Sequence, residues 1–253
     1  MAVQTVFKRY ELKYLLTTEQ KEKVLKIMQP HLHPDQYGRT TIRNLYYDRD
    51  DYLLIRRSIE KPAYKEKLRI RSYARASGES PVFVELKKKF EDVVYKRRIC
   101  LPNQNAMAWL SGENTCENRN QIADEIDYFC SLHGPLRPTV FLCYDREAYY
   151  AVDGTDFRVT FDDTILCRQE ELSLGSDPWG VSLLPEGMTL MEIKCSGGIP
   201  LWLTEVLSRE KIYKTSYSKY GTAYKNLIFP QIHPQKITPE VTTNARKMVS
   251  GNL

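Results

Sequence analysis

Sampled at every second residue, about six stretches of this chain carry cations on one side and apolar groups on the other. Successive side chains of a β-strand point to opposite faces, so this spacing sorts each stretch into two surfaces. Arg9, Glu11 and Lys13 alternate with Tyr10, Leu12 and Tyr14, and Lys65, Lys67, Arg69 and Arg71 alternate with Leu68 and Ile70. Glu85 and Lys87 oppose Val82, Val84 and Leu86, while Lys96 and Arg98 oppose Tyr95, Ile99 and Leu101. Farther on, Tyr144 and Arg146 share a face, Arg158, Thr160 and Asp162 oppose Phe157, Val159 and Phe161, and Glu192 and Lys194 oppose Met191 and Ile193. A sheet wetted on one side also alternates. A solvated face, however, mixes serine, threonine, asparagine and glutamine with its charges, and here lysine and arginine dominate. The recurrence fits a sheet closed on itself, apolar face outward under helices and charged face inward.

The element pattern agrees. Strands are expected over 5–16, 40–47, 64–73, 81–89, 93–101, 138–150, 157–163, 165–170 and 188–196, with turns at Gly78, Glu91-Asp92 and Asp153-Gly154. Helices are expected from Thr17 to Pro30, over 48–59, in two pieces between Asn103 and His133 broken near Ser111-Gly112, from Pro200 to about Ile212, and over 220–229. The class is α+β: an antiparallel, eight-stranded β-barrel tunnel with flanking and capping helices, whose closure removes the sheet edges. Residues 1–229 form this domain, and the proline-containing, polar 230–253 read as a flexible C-terminal tail.

An inward ring of cations repels itself. Two unit charges about 6 Å apart cost roughly 3 kcal/mol at an effective dielectric near 20. Such a lining calls for carboxylates and a polyanion to neutralise it. Arginine matches phosphate oxygens in a bidentate fashion, so the inferred ligand carries several phosphates in a row. The inward acids Glu11, Glu85, Asp162 and Glu192 have two roles open to them. A carboxylate in a phosphate site can hold Mg²⁺ or Mn²⁺ bridging phosphate oxygens, or it can orient a lysine or arginine as an ion-pair partner. Glu192 is read as the metal ligand, and the other three as ion-pair partners.

Several function classes drop out. Net charge is +5, so the placement of cations matters more than their total. Mean hydropathy is −0.48, and no apolar run reaches the length of a membrane span. No basic-then-apolar N-terminal segment marks a signal peptide. The six cysteines are scattered without a C-x-x-C pair, which argues against zinc or redox chemistry and for a reducing, cytoplasmic compartment. His31, His33, His133 and His233 lack metal spacing; His31 and His33 lie beside prolines in an expected loop. Gly197-Gly198 lacks the lysine of a P-loop and reads as the turn opening a helix, with Trp202 and Leu203 as core or as a plug over the barrel end. Lys87-Lys88-Lys89 and Lys96-Arg97-Arg98 form an exposed basic candidate, but apart from Tyr144 no aromatic residues for base stacking are interleaved on the cationic face. No nucleic-acid partner is expected.

The segments Arg9-Tyr10-Glu11-Leu12-Lys13-Tyr14, Lys67-Leu68-Arg69-Ile70-Arg71, Val84-Glu85-Leu86-Lys87, Tyr95-Lys96-Arg97-Arg98 and Met191-Glu192-Ile193-Lys194 resemble, in this order, the VTC domain. This is the polyphosphate polymerase branch of the triphosphate tunnel metalloenzymes, the CYTH-like superfamily. The resemblance spans about Phe7 to Phe229 and implies a tunnel gripping a triphosphate and a divalent metal, Mn²⁺ or Mg²⁺. It implies transfer of the ATP γ-phosphate to polyphosphate with release of ADP. It places Lys13, Arg69, Arg71, Lys87, Lys96, Arg98, Tyr144, Arg146, Arg158 and Lys194 on the phosphate path, with Lys13, Arg69, Arg71, Arg146 and Arg158 as catalytic groups. Glu192 holds the metal, and Ser218 and Lys219 belong to a late phosphate-binding loop. Two departures stand out. Arg9 replaces the first acid of the Glu-x-Glu-x-Lys opening of the hydrolase branch, which leans towards the polymerase. Ser216 stands where eukaryotic polymerase relatives carry a lysine, and Lys214 is a substitute at a different position. No fused membrane domain or inositol-phosphate sensor module is visible, which implies the soluble, bacterial form. A triphosphate hydrolase and a non-catalytic sensor of polyphosphate or nucleotide are the alternatives. The sequence leaves open the oligomeric state, the primer and any membrane-protein partner.

Overall fold

The computed structural model describes residues 6–91 and 93–234, with side chains from Tyr10 onward. Strand β1 (Val6–Thr17) runs straight into helix α1 (Thr18–Met28). Thr17 makes that junction: its hydroxyl accepts the Gln20 amide at 3.2 Å, and its own amide donates to the Gln20 side chain at 3.0 Å, a capping box. There follow β2 (Leu32–Pro34), β3 (Thr40–Asp48), α2 (Leu53–Ile59), β4 (Tyr64–Ser72), β5 (Pro81–Phe90), β6 (Val93–Pro102), α3 (Asn103–Ser111), α4 (Gln121–His133) and β7 (Arg137–Ala151). The chain continues through β8 (Arg158–Arg168), β9 (Val181–Ser182), β10 (Met188–Cys195), α5 (Leu201–Arg209), β11 (Lys214–Thr215), α6 (Lys219–Ala223), a π-helical turn (Tyr224–Ile228) and α7 (Phe229–Ile232).

Eight of these strands close a ring in the order β7-β3-β4-β5-β6-β1-β10-β8, and β8 pairs back to β7. Every pairing is antiparallel. The short β2, β9 and β11 extend β7, β8 and β1.

The apolar core lies in three places. Leu68, Ile70, Val82, Val84 and Leu86 on the outer face of one wall pack against Trp109 of α3 and Ile126 and Phe129 of α4. Tyr14, Leu16, Val159, Phe161 and Met191 do the same under α1 and α5, through Val24, Met28, Leu203 and Val206. Each such side chain, fully buried, contributes roughly 1.5–3 kcal/mol. In the third cluster Ile42, Val140, Leu142, Tyr144 and Leu190 meet Ile55 of α2 and Tyr220, Tyr224 and Ile228 of the C-terminal helices. No described helix is long and apolar enough to cross a membrane.

The structure departs from the sequence expectations at several elements. The two strands expected over 157–163 and 165–170 are one strand, β8. Thr164 takes a left-handed φ of 47°, and Thr164 and Ile165 stand opposite the single residue Tyr144, so a bulge bends the strand without ending it. The helix expected from Asp48 begins at Leu53, because Asp48 finishes β3 and spends its carboxylate capping that helix from a distance. His31 and His33 flank or enter β2, and His31 stacks on Trp202 at 4.4 Å, which makes Trp202 core packing. The last helix starts at Lys219 and stays helical past Pro230 to Ile232; residues 235–253 of the expected tail lie outside the described residues, as does the Arg9 side chain.

Candidate active site

The charged face of the ring encloses a cavity of about 1580 Å³. All thirteen residues singled out from the sequence line it: Lys13, Arg69, Arg71, Lys87, Lys96, Arg98, Tyr144, Arg146, Arg158, Glu192, Lys194, Ser218 and Lys219. The register explains the convergence. Cross-strand neighbours Lys67 and Lys87, Lys87 and Lys96, Lys13 and Glu192, and Lys194 and Arg158 stand opposite one another on successive strands of a closed sheet. Among the described residues the lining holds sixteen lysines and arginines against five carboxylates, and the buried acids Glu85 and Asp162 pair with several of those cations.

Buried acids hold the guanidinium groups in place. Glu85, fully buried, accepts from Arg69 Nε and Nη2 at 2.9 and 2.7 Å, with Lys96 at 3.4 Å and Arg71 at 3.8 Å. Burial alone would raise its carboxyl, but Arg71, Lys96 and Arg69 outweigh it and hold the group well below the usual range. Arg69 also donates to the Tyr46 hydroxyl at 2.8 Å, and Arg71 to Asn44 at 3.0 Å and the Tyr144 hydroxyl at 3.1 Å. Across the cavity Arg146 forks onto Asp162 at 2.6 and 2.7 Å. Lys219 bridges Asp162 at 2.5 Å and Glu192 at 2.9 Å. Glu11 pairs with Lys87 at 2.6 Å; burial raises its carboxyl, yet Lys87 and other lysines bring it down to about 2. Glu11, Glu85 and Asp162 are therefore ion-pair partners, as expected. Glu192 is one too: Lys194 at 2.9 Å, Lys219 at 2.9 Å, Arg146 at 3.4 Å and Lys13 at 3.5 Å surround it.

Not every cation is neutralised. Burial lowers Lys96 to about 7 despite Glu85, and Lys194 to about 7 despite Glu192. Arg158 stacks over Tyr150 at 4.5 Å, while its buried Nε has no hydrogen-bond partner. The late loop is tied to the barrel by lysines: Lys13 Nζ donates to the Tyr217 carbonyl at 2.9 Å, and Lys67 Nζ to Ser218 Oγ at 3.0 Å.

The expected exposed basic patch does not exist as such. Lys87, Lys89, Lys96 and Arg98 line the cavity, while Lys88 and Arg97 pair outward with Glu125 of α4 at 3.3 and 3.5 Å. Tyr46 and Asn44 escaped the sequence reading, and Lys214, read from the sequence as a substitute at a different position, lines the cavity. The run Ile42, Asn44, Tyr46 mixes polar and apolar groups, so alternation gives it no signature. Lys65 and Lys67 carried the right period without being assigned to the site.

A family model for the VTC domain matches residues 8–228. The chain belongs to the VTC domain family. No curated protein sequence matches it significantly. Among solved structures, this VTC domain resembles a candidate adenylate cyclase from Bacillus halodurans, with a TM-score of 0.54 and 15% identity over 85% of this chain and 96% of that one. It also resembles a Hippeastrum protein described as a candidate adenylyl cyclase with a dominant triphosphatase activity, with a TM-score of 0.51 and 16% identity over 91% and 98% of the two chains. At such identities the likeness is one of fold alone.

Proposed function

We propose that this VTC domain is a polyphosphate polymerase that moves the γ-phosphate of ATP onto a polyphosphate chain inside its tunnel and releases ADP. The observation that carries this reading is the lining: a closed ring of lysines and arginines in large excess over carboxylates, within a VTC domain. Phosphoryl transfer asks for positioned positive charge more than for covalent help from the protein. In this reading Lys13, Arg69, Arg71, Arg146 and Arg158 touch the reacting phosphates and offset charge that develops in transfer. Lys87, Lys96, Arg98, Tyr144, Lys194, Ser218 and Lys219 hold the rest of the chain.

Among the described residues no three His, Cys, Asp or Glu side chains cluster as a ready metal cage. Magnesium-like ions are commonly held by one or two carboxylates plus substrate phosphates, and Glu192 with Glu11 in the same cavity fits that donor set. Glu192 would thus be the principal protein ligand of an ion, Mn²⁺ or Mg²⁺, that arrives with the phosphates. Such an ion would supply positive charge to offset charge developing in transfer. Polyphosphate ends would draw Lys13, Lys194 and Lys219 off Glu192 and free its oxygens. The free thiols of all six cysteines support a cytoplasmic location.

A second reading, triphosphate hydrolysis, draws on the fold shared with the Hippeastrum protein. Incubating the pure chain with ATP and Mn²⁺ separates the two. Polyphosphate with ADP supports the polymerase, phosphate without chains supports the hydrolase, and no turnover with tight binding leaves a sensor.

A further inference from the structure

Lys67 is a tunnel cation without an assigned task. It sits on β4 between Lys65 and Arg69 of the same face, and the charges of Lys13 on β1 and Lys87 on β5 bear on it. The carboxylates near these groups are committed elsewhere. Glu11 on β1 holds Lys87, Glu85 on β5 holds Arg69, and Glu192 on β10 is ringed by Lys13, Lys194, Lys219 and Arg146. The late loop and β11 add Lys219, itself bound to Asp162 and Glu192, Tyr217, whose hydroxyl donates to the Leu183 carbonyl, and Lys214. Among the described residues the one hydrogen bond of Lys67 goes to a neutral hydroxyl, Ser218 Oγ, at 3.0 Å. That same oxygen accepts the Gly221 amide at 3.1 Å, which fixes its position at the start of α6.

A half-buried ammonium facing four other cations, with a hydroxyl as its partner, is destabilised in its charged form. Burial first, then Lys13, Lys87, Lys65 and Arg69, all push Lys67 well below the ordinary lysine range. A polyphosphate in the cavity reverses the balance, because its charges neutralise those cations and offer oxygen acceptors directly.

We propose that Lys67 and the Ser218 hydroxyl form an additional phosphate contact whose positive charge comes with the ligand: Lys67 takes up a proton from solvent as a triphosphate or polyphosphate enters. This rests on the phosphate-site reading above and adds to it a linkage between binding and pH. The wild-type chain should take up protons on binding, and its affinity should fall as pH rises above neutral. Each linked proton makes that fall up to about tenfold per pH unit.

Titration calorimetry of the full chain with tripolyphosphate, in buffers of equal pH and different ionisation enthalpy, measures the uptake. Lys67→Arg keeps its charge at every accessible pH, so it should bind with about one proton fewer and lose affinity less steeply as pH rises. If the guanidinium crowds the wall, Lys67→Met decides. It should also take up about one proton fewer, with affinity at least several-fold weaker at neutral pH. Lys96 and Lys194, both held near 7, leave a residual uptake in both variants, so the difference from wild type is the readout. Uptake equal to wild type in either variant overturns the role of Lys67 while leaving the phosphate site intact. Failure of the wild type to bind tripolyphosphate overturns the site reading itself, and this inference with it.

Discussion

Glu85 and Glu192 both sit among cations, and their surroundings predict different consequences of the same substitution. Glu85 is fully buried and holds Arg69 with Arg71 and Lys96 nearby. Glu85→Gln would leave those charges uncompensated in the wall, and breaking a buried ion pair costs about 3–5 kcal/mol. Urea denaturation should register that loss, and a change under ~1 kcal/mol would mean the cations find water. Glu192 lies on the cavity surface with four cations around it. Glu192→Gln should lower turnover by a factor on the order of 10² while tripolyphosphate still binds, since the cations remain and one competing acid is gone. Rate measured against Mn²⁺ concentration is the deciding curve: an unshifted curve would assign Glu192 to ion pairing alone. At this scale the sequence was most legible. A period of two in Lys67, Arg69 and Arg71 dictates a shared face, and the excess of cations dictates what that face can hold. The choice between metal ligand and ion-pair partner was not legible, because it depends on which lysines of other strands reach Glu192.

Element by element, the strands were readable and their junctions were not. The outward alternation of Val82, Val84 and Leu86 marks β5 without ambiguity. At Thr164 the sequence offers a threonine flanked by Asp163 and Ile165, and nothing there separates a bulge from a break. Asp48 is the more instructive case. Its carboxylate accepts the amides of Leu54 and Ile55 at 2.9 and 3.0 Å, and the Tyr220 hydroxyl donates to it at 3.0 Å. One side chain thereby caps α2 and anchors the helix that follows the late loop, where Tyr220 stacks on Tyr46 at 4.7 Å and Tyr46 receives Arg69. A cap six residues from its helix amide cannot be read from local spacing. Asp48→Ala should cost about 2 kcal/mol or more, from the lost cap and the stranded partners. It should also weaken tripolyphosphate binding, although Asp48 does not line the cavity. Unchanged affinity in a destabilised variant would confine Asp48 to helix capping.

The whole molecule inverts the usual arrangement of a globular domain: its apolar layers lie chiefly between barrel and helices, and much of its charge faces inward. The closure of the ring was legible because inward cations make sense only when a sheet encloses them; the helical packing around Tyr220 and Ile228 was not, since it depends on tertiary contacts with Ile42 and Leu142. Such a protein should gain stability from its ligand more than from any local repair. Lys96, lowered to about 7, and Lys67, also lowered, bind fewer protons folded than unfolded across the window from about 7 towards 10.5. Stability therefore rises with pH from about 7 towards 9, because the unfolded state binds more protons there; nearer 9 the six cysteines, whose thiols burial raises from 9.0, oppose the rise. A bound polyanion restores the folded-state charge of these lysines and should flatten that slope. At a tripolyphosphate concentration a hundred times its Kd, linkage adds about 2.7 kcal/mol, which for a chain of this size raises Tm by roughly 5–10 °C. The shift should shrink as salt is added, since several exposed charge contacts contribute. AMP at equal concentration, with one phosphate, should shift Tm far less. Thermal melts with tripolyphosphate and AMP, each at low and high salt and at two pH values, test the account together: equal shifts for the two ligands, or a tripolyphosphate shift indifferent to salt, would mean that the inward cations do not form a polyphosphate site.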